Sequence, residues 1–250
     1  MKQHKFEIIL FFTVFLIHAI TNLNYKAIVQ SIGNDERVTM VGAATLAGLD
    51  WSDIVKNAKY YGIGYTVLMA PMFLITDNPF VIYQGMLLYN AILYAISAVL
   101  CFRLMRKLCG KPEGTKENVY CLLFSIASVF MPIKFVFIIN EHMLTFLNWV
   151  LLTLLVKVAE LFSENRKRES VKYVAVMFVL MLYALVVHTR GVTFWIAVAI
   201  VLFVLFLMHR LRIRYWLVGI AGAVGGYVLM QNVVKLIQRV VWNNDGSTML

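Results

Sequence analysis

Acidic residues are scarce in this chain: Asp and Glu total 13 against 23 Lys and Arg in 250 residues. Charge of either sign is low at 14%, where soluble domains carry about 25%. With 61% hydrophobic residues and a mean hydropathy of +0.78, this composition excludes an ordinary soluble domain and predicts an integral membrane protein. There are only three cysteines, Cys101, Cys109 and Cys121, all near one loop between apolar runs, which excludes a disulfide framework and predicts free thiols. Internal repeats and low-complexity tracts are absent, as are a P-loop and a dinucleotide fingerprint between a strand and a helix. The net charge of +10 does not indicate a nucleic-acid partner, because the basic residues sit in short clusters between apolar runs, where they act as topology signals.

The apolar runs predict an all-α protein with about seven spans. Ile8 to Ile20 follows a basic start and lacks a small-x-small cleavage site, so it reads as an uncleaved span with a cytoplasmic N-terminus. The polar stretch from about 22 to 78 reads as an external loop. Within it, Asn34 caps a short helix from Asp35 to Leu46, and Asp50 with Asp53 starts another towards Tyr60. Both are too polar to cross a bilayer and are expected along its surface.

Gly62 to Ile75 is short and broken by Pro71, and its crossing would put Arg103, Arg106, Lys107, Lys111 and Lys116 outside. It is therefore expected to be interfacial or re-entrant. Asp77-Asn78-Pro79 starts the next helix. The remaining spans are Phe80–Leu104, Val119–Phe137 with a break near Pro132 and Lys134, Met143–Val158, Tyr173–Val187, Val192–Met208 and Tyr215–Val234. His188 to Gly191 forms a tight turn between two of them.

On this topology Asp35, Glu36, Lys59, Tyr60, Tyr61, Glu141, His142, His188 and Arg190 fall on the outer side, and the span interiors hold almost no ionisable groups. That pattern disfavours an ion-coupled pump and suits chemistry at the outer interface. Transfer of a sugar from a lipid phosphate to a hydroxyl needs one carboxylate as general base and cations for the leaving phosphate. The missing nucleotide loop disfavours a nucleotide-sugar donor.

Several residues also form a recognisable series. A first span is followed by a loop opening with Asp35-Glu36, then the run YYGIGYTVLMAP from residue 60 to 71, then a span with an early Asn90. Glu141 opens a later span shortly after Pro132. The series resembles the N-terminal membrane module of GT-C glycosyltransferases, in particular the protein O-mannosyltransferase and lipid A aminoarabinose transferase group. The resemblance implies a GT-C-like module over residues 1–250, a polyprenyl-phosphate sugar donor and inversion at the extracytoplasmic face of the cell membrane. It also implies that Asp35 is the base and that Glu36 orients acceptor or sugar. Glu141, Arg190, Lys59, Tyr60, Tyr61 and His142 would bind substrate, with Arg190 or Lys59 on the phosphate. Membrane lipids, the lipid-linked donor and an acceptor glycan, lipid or protein are the expected partners, and no metal ligand set is assigned. Such proteins often continue into further spans, so a fragment or minimal module is expected.

Plainer readings stand beside these. Asp35 and Glu36 also suit the first turn of a surface helix, and Glu141 could be another first-turn acid or a partner of Lys134. Arg190 could anchor the interface, the histidines could pack, and the tyrosines could form an aromatic belt. The alternative function is a non-enzymatic polytopic protein, either a lipid or polysaccharide transporter or an assembly subunit.

Overall fold

A computed structural model describes residues 2–24, 34–49, 63–110, 114–130, 138–209 and 213–242. Among them the elements are helices, named here in chain order: α1 Lys2–Asn24, α2 Asn34–Leu46, α3 Gly64–Met69, α4 Met72–Ile75, α5 Pro79–Leu108, α6 Thr115–Val129, α7 Glu141–Ser163, α8 Lys167–Val187, a 3-10 turn Thr189–Gly191, α9 Val192–His209 and α10 Ile213–Trp242. They form two compact units, Met1–Arg37 with Pro71–Val150 and Val38–Ala70 with Leu151–Leu250.

Four helices among the described residues are long and apolar enough to cross a membrane: His4–Leu23, Pro79–Leu108, Glu141–Ser163 and Lys167–Val187. This corrects the expectation of about seven. The expected third span stops at Val129 after a 15-residue helix, and its continuation at 131–137 lies outside the described residues. The last two shrink to the shorter apolar stretches Thr189–Leu205 and Ile220–Leu236.

The first unit is built on α1 and α5, which run antiparallel. Phe6 meets Phe102 with ring centroids 6.4 Å apart, Glu7 meets Arg103, His18 stacks on Tyr94, and Asn22 donates to the Leu87 carbonyl at 3.3 Å. Close approach depends on small residues: Ala91, Ala95 and Ala98 are fully buried, which lets the helices pack tightly where there is little other driving force in an apolar medium. Leu10, Val14, Phe102, Cys121 and Val129 complete this core, with α6 packed on its side. All three cysteines are free thiols.

The ends of α5 are specified by sequence. Asn78 Oδ1 accepts the backbone N–H groups of Phe80 and Val81 at 3.0 and 3.3 Å, with Pro79 in the first turn, as the Asn-Pro signal predicts. Arg106 and Lys107 occupy the last turn, where cations suit the helix dipole. The chain then leaves through Gly110 at φ +75°, a left-handed conformation that glycine adopts without a Cβ penalty.

The second unit packs Leu151 and Val158 of α7, Met177 and Met181 of α8, and Val198 and Leu205 of α9 into one core. Tyr183 OH donates to the Gly64 carbonyl at 3.0 Å, and Trp195 Nε1 donates to the Met181 carbonyl at 3.1 Å. After α7 ends at Ser163 the chain turns through Asn165, whose φ is +57°, with Arg166 N–H closing back on the Leu161 carbonyl at 2.8 Å. Arg166 bridges Glu164 and Glu169 at the surface, and these two carboxylates hold its guanidinium pKa above the ordinary arginine value.

Two features of the stretch between α1 and α5 differ from the sequence reading. The helix α2 forms where expected and is more buried than its polarity suggests: Glu36, Thr39, Val41, Ala43 and Ala44 are all buried. Its small residues fit a packed environment that its polarity disguised. The 62–75 segment is two short helices divided at Ala70–Pro71, and in α3 Gly64, Tyr65, Thr66 and Met69 are buried, so protein covers that backbone. The expected helix at Asp50–Tyr60 lies outside the described residues.

Candidate functional site

The polar side chains of the first unit fall at three levels along α5. At its C-terminal end Arg103 pairs with Glu7. Nine residues earlier, Tyr94 OH lies 2.5 Å from His142 Nδ1, while the His18 ring stacks on the phenol at 4.7 Å with a 4° interplanar angle. Eleven residues earlier again, Tyr83 OH donates to Glu36 Oε1 at 2.7 Å. At 1.5 Å rise per residue, Tyr83 and Arg103 stand about 30 Å apart along the helix axis.

Glu36 owes its position to both ends of the chain segment that surrounds it. It sits in the first turn of α2 and is 2% exposed. Besides the Tyr83 hydroxyl, the same Oε1 accepts the backbone N–H of Ile138 at 2.9 Å. Two donors on one oxygen stabilise the buried group and fix the start of α2 against α5 and against the run leading into α7. Glu36 is thereby an anchor for the start of α2.

The run 138–142 carries the other members. Ile138 is tied to Glu36, Asn140 is buried, Glu141 opens α7, and His142 is buried against Tyr94. Asn90, buried on α5 between Tyr83 and Tyr94, belongs to the same region. The tyrosine and histidine rings lie edge to face at 5.2 Å and 72°.

Of the residues singled out in sequence, Glu36, Glu141 and His142 therefore gather in the first unit. Asp35 lies in the first turn of α2 by backbone, and its side chain is outside the described residues, as are Lys59, Tyr60 and Tyr61. Arg190 belongs to the second unit, exposed in the 3-10 turn, where His188 Nδ1 accepts its backbone N–H at 2.9 Å. Sequence reasoning missed Tyr83, Tyr94, Asn140 and the involvement of His18. The signal was present for His18, an ionisable group inside an apolar run. His18, within the candidate span His4–Leu23, is buried.

Among the described residues no cluster of three or more His, Cys, Asp or Glu is placed to hold a metal ion. In comparisons with known proteins, no protein family, curated protein or solved structure matches this chain.

Proposed function

We propose that the chain is a membrane glycosyltransferase that moves a sugar from a polyprenyl-phosphate donor to an acceptor hydroxyl at the extracytoplasmic face, with inversion. The observation that carries this reading is the placing of Glu36. Its anchor Tyr83 lies about 30 Å along α5 from Arg103, one hydrocarbon thickness, so a bilayer seated with Arg103 at the cytoplasmic boundary leaves the Asp35-Glu36 pair at the opposite one. An exposed apolar stripe on α1, including Ile8, Phe12, Leu16 and Ile20, suits lipid contact in that arrangement.

In this reading Asp35 takes the proton of the acceptor hydroxyl, whose oxygen attacks the anomeric carbon. The sugar–phosphate bond breaks with its electron pair leaving on the phosphate. Glu36 positions that base by locking the first turn of α2. Arg190 and Lys59 remain candidates for the phosphate, joined by Arg37, which is exposed directly after the sealed Glu36. Glu141 and His142 are candidates for substrate binding, and the GT-C-like architecture with a cytoplasmic N-terminus belongs to the same proposal. Reconstitution with a panel of polyprenyl-phosphate sugars, followed by mass analysis of products, tests it. Transfer that needs Asp35 supports the reading, and full activity of Asp35→Asn removes the base assignment.

A second reading has an observation of its own. His18, Tyr94 and His142 are buried about midway between the Arg103 and Tyr83 levels, where titratable groups mark transport pathways in membrane proteins. A transporter or assembly subunit would show alternating accessibility of the α1–α5 seam to water-soluble thiol reagents in cysteine variants. An enzyme would show one constant pattern.

A further inference from the structure

Asn140 stands immediately before α7, and its carbonyl accepts the Leu144 N–H at 3.1 Å. An asparagine in that place ordinarily turns its side chain onto the free N–H groups of the first turn, as Asn78 does at the start of α5. Asn140 forgoes the cap. It is 1% exposed, and among the described residues neither Oδ1 nor Nδ2 has a hydrogen-bond partner. A buried amide with all its capacity unspent is costly and rare in native folds, which points to a ligand.

Its surroundings define the kind of ligand. Two residues before it, Ile138 N–H is held by Glu36, and two residues after it, His142 is held by Tyr94. On α1, Asn22 donates to the Leu87 carbonyl, level with the stretch of α5 between Tyr83 and Tyr94, and its Oδ1 is likewise buried without a partner. The region therefore offers two amides, two tyrosines, two imidazoles and two carboxylates. Arg103 and Arg106 sit near the far end of α5, and Arg37 is exposed to solvent, so among the described residues no buried lysine or arginine meets an anion there. A hydroxyl-rich neutral ring matches amides that both donate and accept.

We propose that Asn140 is a sugar-binding residue, holding hydroxyl groups of a neutral hexose within the first unit. The inference rests on the glycosyltransferase reading and names where the sugar is held. The hexose can arrive on the lipid donor or as part of the acceptor, since both present the same hydroxyls.

The test uses the full chain in lipid nanodiscs and native mass spectrometry. The probes are bare polyprenyl phosphate, polyprenyl-phosphate mannose, polyprenyl-phosphate glucose and the methyl glycosides of both sugars. The wild type is expected to bind at least one sugar-bearing probe about tenfold or more tightly than its sugar-free counterpart, with buffer blanks for the glycosides. Asn140→Ala and Asn140→Leu should each abolish that preference while leaving bare-lipid binding unchanged. Preference confined to the lipid probes assigns the hexose to the donor, and binding of a methyl glycoside assigns it to the acceptor. Without ligand, Asn140→Ala should unfold no earlier than the wild type, because it deletes an unpartnered amide; a structural asparagine would behave oppositely. A variant that keeps the sugar preference overturns the inference, and so does one that unfolds early and loses all probes equally. If the wild type transfers sugar but shows no Asn140-dependent preference, the subsite fails and the enzyme reading stands. If it neither transfers nor binds any sugar probe, both fall.

Discussion

Arg103 on α5 grips Glu7 on α1 through a two-pronged contact, Nε to Oε1 at 3.0 Å and Nη2 to Oε2 at 2.7 Å. The partners are unequal: the carboxylate side chain is 7% exposed and the guanidinium 51%. Removing the arginine takes the main partner from a buried carboxylate, leaving His4 Nδ1 at 3.5 Å, and water reaching the vacated site limits the penalty. Arg103→Ala should therefore cost about 1–3 kcal/mol, below the fully buried case and above an exposed pair. Adding Glu7→Gln to Arg103→Ala should recover most of it. Unfolding of the purified protein in detergent gives the double-mutant cycle, and a single variant as stable as the wild type would show that the pair contributes nothing.

The adjacent acids Asp35 and Glu36 should separate cleanly. Glu36→Gln keeps a carbonyl oxygen for Tyr83 and Ile138 and should leave folding and transfer largely intact. Glu36→Ala leaves two buried donors unmet, about 1–3 kcal/mol each. Asp35→Asn should insert normally but lose about 10²- to 10⁴-fold in rate. Parallel measurement of thermal unfolding and sugar transfer distinguishes the roles, and equal loss of activity in Asp35→Asn and Glu36→Gln would assign both acids to chemistry.

Gly191 closes the turn between α8 and α9 with no room to spare. A Cβ there would lie 2.3 Å from the Ala184 carbonyl oxygen and 2.4 Å from its carbon, and backbone cannot swing aside as a side-chain tip can. Gly191→Ala should destabilise by about 3 kcal/mol or more, at or beyond the usual range for overpacking. Gly222→Ala is the control, since a Cβ there meets nothing within 4 Å. Size-exclusion profiles and melting temperatures of the two variants provide the comparison.

Asn78 caps α5 through two N–H groups. Asn78→Ala should cost about 1 kcal/mol, and Asn78→Asp or Asn78→Ser should retain most of the stability. Equal melting temperatures for all four proteins would mean that the cap is replaced by solvent.

Local signals were the legible part of this fold. Asn78-Pro79 started α5, Glu141 opened α7 and His188–Gly191 made the turn, each because a few neighbouring residues decide the backbone there. The number of candidate spans was less legible because it depends on where helices stop: α6 ends at Val129, well before its apolar run is exhausted. Burial of α2 escaped notice because Asn, Asp, Glu and Arg at its start outweigh Gly42, Ala43 and Ala44 in any reading by polarity. In the candidate site, Glu36 and His142 were singled out by residue type, whereas their partners Tyr83 and Tyr94 resembled any aromatic in a span. Only the meeting of α1, α2, α5 and the 138–142 run reveals what they hold.

The antiparallel seam of α1 and α5 has a consequence for biosynthesis. Glu7 and Arg103 are 96 residues apart, and Asn22 and Leu87 are 65 apart. At a translation speed of about 5–20 residues per second, the first helix waits on the order of 5–20 s for its acid's partner to be made. During that interval Glu7, His18 and Asn22 lack the α5 groups they later contact. A nascent chain paused before residue 87 thus presents an acid, an imidazole and an amide on an otherwise greasy helix, a display that insertion machinery or a membrane chaperone could recognise until α5 arrives to cover it.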